Sequence, residues 1–118
     1  MSLTVVQNLT HQVGDTLQLE FAVVDEEGAP ANITGATCRF VVARNPSAEP
    51  VLTTEGTSAN VVATITNAAG GIYQILADAQ DTEDLRGVYQ WETEVEDLSG
   101  GKATLVKGVI DFHRGLLP

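Results

Sequence analysis

From Tyr89 to Glu96 the chain alternates apolar and polar at nearly every residue. Tyr89, Trp91, Thr93 and Val95 fall on one phase, and Gln90, Glu92, Glu94 and Glu96 on the other. A strand side chain changes face at each residue. The pattern predicts a β-strand over residues 88–97 with one packed face and one acidic, wet face. The same period recurs upstream. Leu17, Leu19, Phe21 and Val23 alternate with Gln18, Glu20 and Ala22, predicting a core strand within residues 16–25. Ala36, Cys38, Phe40 and Val42 predict another over residues 36–44, with Arg39 and Arg44 on or near its exposed side.

Turn residues punctuate the rest. Asp25-Glu26-Glu27-Gly28-Ala29-Pro30 ends one strand, and Asn45-Pro46-Ser47-Ala48-Glu49-Pro50 ends the next. Shorter strands are predicted at residues 3–7, an edge, and at 51–55 and 61–66. Asn67-Ala68-Ala69-Gly70-Gly71 joins the last of these to a hairpin partner at 72–77. Residues 78–86 do not alternate and read as one helical turn or a crossover, with Leu85 tucked into the core. A final strand spans 102–112, with Gly108 as a bulge or a point of close contact. Seven to nine short strands without a long helix predict an all-β chain, built as two packed antiparallel sheets.

Composition narrows the class. A chain of 118 residues fits one domain over 1–118, large enough for a core without staples. With 43% hydrophobic residues but only 5% aromatic, that core is mostly Val, Leu, Ile and Ala. Net charge is −10, which argues against nucleic acid, whose binders need cations to displace counterions, and against anionic membrane surfaces. No apolar run approaches the ~18 residues of a membrane span. Met1-Ser2-Leu3-Thr4-Val5-Val6 has no basic n-region, so no signal peptide is expected.

Candidate chemistry is sparse. Cys38 is the only cysteine, which rules out an intrachain disulfide. It lies in phase with Phe40 and Val42 and reads as a small core residue. His11 and His113 sit in the two terminal segments without neighbouring ligands at metal spacing. The acidic turns at 25–27, 78–84 and 96–97 lack the alternating acids and central glycine of a calcium loop, and read as solvated charge. Glu92, Glu94 and Glu96 form a flat carboxylate row. It lacks the paired asymmetry of acid–base catalysis and is expected to meet Arg39, Lys102 or Lys107 across strands. No enzyme, catalytic residue, cofactor or metal is expected. Tyr89 is either a plain core aromatic or a corner tyrosine whose hydroxyl satisfies nearby backbone.

One resemblance spans most of the chain. Gly14-Asp15-Thr16-Leu17, Val24-Asp25-Glu26-Glu27-Gly28-Ala29-Pro30 and Ile33-Thr34-Gly35-Ala36-Thr37-Cys38-Arg39-Phe40 come first. Ala68-Ala69-Gly70-Gly71-Ile72-Tyr73, the Leu85-x-Gly87-x-Tyr89 strand and Gly108-Val109-Ile110 follow. Over residues 13–112 this ordered set resembles the immunoglobulin-like domains of tailed-phage and prophage virion proteins, most nearly the N-terminal domain of phage baseplate upper proteins. The resemblance implies an Ig-like β-sandwich with at most one short helical turn near residues 78–86. It implies a noncatalytic structural part of a tail, baseplate or neck, made in the bacterial cytoplasm and carried in the virion. Its partners would be other virion proteins, with homo-oligomerisation. Residues 3–6 and 115–117 are candidate docking arms. The alternative is a bacterial surface Ig-like module binding carbohydrate or a receptor.

Overall fold

The computed structural model describes residues 5–6, 9–12, 16–25, 27–97 and 102–113, with 5–6, 9–12 and 102–105 described by their backbone pairing. In chain order the strands are β1 (Val5–Val6), β2 (Leu9–Gln12), β3 (Leu17–Ala22), β4 (Thr37–Ala43), β5 (Leu52–Thr53), β6 (Val61–Asn67), β7 (Ile72–Ala77), β8 (Gly87–Glu96) and β9 (Lys102–His113). One helical turn, α1 (Ala79–Thr82), precedes β8. Leu85 is buried just after it, as its place in the sequence predicts.

Strands β3, β7 and β6 make one sheet in that order. The other runs β5, β4, β8, β9, with β1 and β2 both on the far side of β9. These two short strands run parallel to β9, and every other strand pair is antiparallel. The two antiparallel sheets are as expected, with a parallel addition at this one edge. Alternation says which face a residue takes but not which direction its neighbour runs. By position, β3, β7 and β6 stand for strands B, E and D of the immunoglobulin arrangement, and β5, β4, β8 and β9 for C′, C, F and G. The fold is an Ig-like β-sandwich.

An aromatic wedge joins the sheets where antibody domains place a disulfide. Trp91 sits two residues after Tyr89 on β8, at the usual cysteine position. Its ring centroid lies 5.9 Å from Phe21 of β3 and 6.0 Å from Phe40 of β4. Phe21 in turn stands 5.4 Å from Tyr73 of β7. Such tilted contacts add to the area the rings bury. The indole Nε1 donates to the Val109 carbonyl at 3.1 Å, so the ring is buried without a polar cost.

A second link is polar. The Tyr73 hydroxyl bonds Thr93 Oγ1 across the sheet interface, and Thr93 Oγ1 donates to the Arg39 carbonyl at 2.8 Å. A carbonyl only accepts, so the single Thr93 proton points to Arg39 and Tyr73 is the donor. Burial pushes the Tyr73 phenol above its ordinary range.

Two local readings are narrowed. Gly108 is no bulge: it pairs regularly with Trp91. The extra residue falls at Leu105, because Thr93 pairs with Val106 and Glu94 with Thr104. Gly108 falls on the same phase as the buried Ile110 and Phe112, opposite Trp91. At the β8 entry, Tyr89 is buried edge-on to Phe112. The corner there is stitched by Arg44. Its guanidinium lies 4.0 Å from the Tyr89 ring centroid and donates to the Arg86 carbonyl at 2.7 Å.

Candidate functional site

With the inward phases of β4, β8 and β9 spent on the core, their outward phases make one broad face. Val41 and Ala43 of β4, Gln90 of β8 and Val109 of β9 lie side by side there. The 45–50 loop borders them. Asn45 Oδ1 accepts from Ser47 N at 2.9 Å and the Asn45 carbonyl from Ala48 N at 3.1 Å, so the loop is a tight turn. Pro46, Ala48 and Pro50 wall an open groove of about 510 Å³ over that floor. The volume lies within the range of ligand sites, but an open trough suits an extended segment or a loop better than an enclosed small molecule.

The face turns charged at one end of the groove, which Glu92 and Lys107 help to line. Glu92 stands opposite Lys107 in the β8–β9 register. Arg39 then gathers three carboxylates: Nε to Glu55 at 2.6 Å, Nη1 to Glu94 at 3.0 Å and Nη1 to Glu96 at 2.7 Å. These partners hold the guanidinium above even its usual range. The carboxylate row therefore meets Arg39, as expected. Glu94 and Glu96 of the row serve as acceptors in this charge node.

The remaining candidates are scattered. Cys38 is buried, and burial pushes its thiol up to about 11, away from the thiolate a nucleophile needs. His113 is exposed near the end of β9. His11 is paired through its backbone with Phe112, so the histidine-bearing strands are neighbours, a proximity that chain order hides. Asp25 Oδ1 accepts from the amides of Glu27 at 2.9 Å and Ala29 at 3.0 Å and so shapes its own turn. Glu26 lies outside the described residues. Among the described residues no three His, Cys, Asp or Glu side chains gather as a metal site. Val5 and Val6 of the first docking arm form β1 beside β9, the edge strand expected within residues 3–7. Leu3, Thr4 and residues 115–117 lie outside the described residues.

The groove itself escaped the sequence. Its signal was Val41 and Ala43, apolar on an outward phase, followed at once by a loop with two prolines.

No protein-family model matches the chain, and no curated protein matches it. Solved structures do. The GspB Siglec domain matches with a TM-score of 0.51 at 15% identity, over 92% of this chain and 54% of that one. This chain thus spans about half of its length. The ZIG-8 IG1 homodimer gives a TM-score of 0.46 at 10% identity, over 92% and 79% of the two chains. At 15% identity the likeness to the Siglec domain is one of fold.

Proposed function

We propose that this chain is a noncatalytic docking module, working through protein–protein contacts in the tail, baseplate or neck of a phage or prophage virion. The groove carries the docking reading: a mostly apolar trough with Glu92 and Lys107 at one end and the Arg39 node beyond, open on the outer face of the larger sheet. A sugar-binding site stacks exposed rings on sugar faces, and none of the six aromatic residues here is exposed. The virion setting is supported by the ordered turns and strands of residues 13–112, which resemble virion Ig-like domains. In that setting the partners are other virion proteins and further copies of the chain.

The test is location and dependence. Antibody to the chain should label tail structures of particles released by the producing bacterium. Val109→Glu, which puts a charge on the groove floor, should abolish incorporation while leaving the melting temperature within a few degrees. Label confined to the cell envelope would replace the virion setting with the surface-adhesion alternative. Unimpaired incorporation of the variant would remove the groove as the docking site.

A further inference from the structure

Residues 56–77, twenty-two in succession, contain no Asp, Glu, Lys, Arg or His, in a chain whose net charge is −10. The fold turns this run into β6, β7 and the turn between them. Strand β6 is an edge: it pairs with β7 on one side, and among the described residues no strand pairs with its other side, although Asn60 just before it bonds to Thr53 and Val51 of the facing sheet. An edge strand offers a row of free backbone donors and acceptors, and proteins usually guard it with charge, proline or a bulge. Val61 to Ile65 has neither charge nor proline, and the register irregularity falls after Ile65. The opposite edge of the same sheet, β3, carries Glu20.

Burial points the same way. Tyr73 and Ile75, inward on β7, are fully buried, whereas Ala63 and Ile65, inward on β6, are only half-buried. On the outward side Val62 is 60% exposed beside Leu76 at 38%.

We propose that the free edge of β6 is a homotypic docking edge, where a second copy of this chain adds its own β6 antiparallel across a two-fold axis. This rests on the docking reading above and gives it a second surface. Two copies at −10 each repel one another, and the repulsion is least where neither carries charge. Identical strands paired antiparallel are self-complementary, as a two-fold contact requires. Centred on Thr64, the middle of the strand, the pairing sets each Ala63 opposite Ile65 of the other copy. The two half-buried inward positions then cover each other, and the three-stranded sheets join into one of six.

Light scattering over a concentration series tests this. The unmodified chain should reach the mass of two chains. Thr64→Lys brings two ammonium groups together at the axis and should return the mass to one chain, with the melting curve of the dissociated protein retained. Val88→Lys, at an exposed site on the other sheet, should leave the dimer intact. Thr64→Cys should give a disulfide-linked dimer under mild oxidation, since Cys38 is buried and cannot compete. A single-chain mass at every concentration, a dimer that survives Thr64→Lys, or one that Val88→Lys dissociates would overturn the proposal. A chain that stays single yet labels virion tails would overturn the β6 edge and leave the docking reading standing.

Discussion

On the outer face of the larger sheet, Arg39, Glu92, Glu94, Glu96 and Lys107 follow one another across three strands. On the outer face of the smaller sheet stand Val62, Thr64, Gln74 and Leu76, with Glu20 alone at the far edge. Yet the inner faces obey one rule, apolar at every second residue, and share one aromatic wedge. The two sheets are thus alike where the fold is made and unlike where other molecules arrive. The inward phase is constrained by packing, and the outward phase is free to carry a groove with a charged node on one side and an uncharged strand pair on the other.

The strongest way to break this comparison is to remove the wedge that makes the inner faces one. Trp91→Ala should cost about 3–5 kcal/mol by urea unfolding. Phe21→Ala, at a half-buried position on an edge strand, should cost clearly less. Equal losses would mean that the larger sheet is not the keystone.

Next comes the turn that seats the uncharged hairpin. Gly71 has φ +73°, and a Cβ there would lie 2.5 Å from the Val23 carbonyl oxygen and 2.7 Å from that of Ala31. Gly71→Ala should destabilise by about 2 kcal/mol or more, because strain and a backbone clash coincide. Gly70→Ala would meet only the Asn67 side chain, which can move, so its melting temperature should fall much less.

Alkaline pH should weaken both sheets through their interiors. Burial lifts the Cys38 thiol from its ordinary 9.0 to about 11. Between those values the unfolded chain loses the proton while the folded one keeps it, so stability is full below pH 9 and falls toward pH 11. The loss is on the order of 3 kcal/mol. Tyr73, raised by burial on the other sheet, extends the loss to higher pH. Melting temperature against pH, with Cys38→Ala as the comparison, should show a shallower alkaline fall in the variant.

The smallest effect is expected from Tyr73→Phe. It removes the hydroxyl that donates to Thr93 but leaves the bond from Thr93 to the Arg39 carbonyl, and should cost about 1 kcal/mol.

Much of the fold was legible because alternation is a local signal. The strand predicted at 72–77 is β7, and those at 36–44 and 88–97 end within a residue of β4 and β8. The inward set of Cys38, Phe40, Trp91 and Val95 followed from phase alone. Pairing was less legible. Nothing in Val5, Val6 or the residues of β2 indicates that they run parallel to β9, and a bulge at Leu105 depends on the partner strand rather than on a glycine. The groove was illegible because its floor comes from three strands and its wall from a loop. The uncharged run at 56–77 was visible throughout. Only its position at a sheet edge gives it meaning.

The parallel pairing of β1 and β2 with β9 also has a mechanical consequence. The chain enters β1 at one end of this ribbon and leaves β9 at the other. A pull on the two flanking segments therefore acts along the strands, loading the hydrogen bonds between them together, in shear. An antiparallel closure would let them peel one at a time. The first and last of the described strands form a clasp whose hydrogen bonds share the tension rather than meeting it singly.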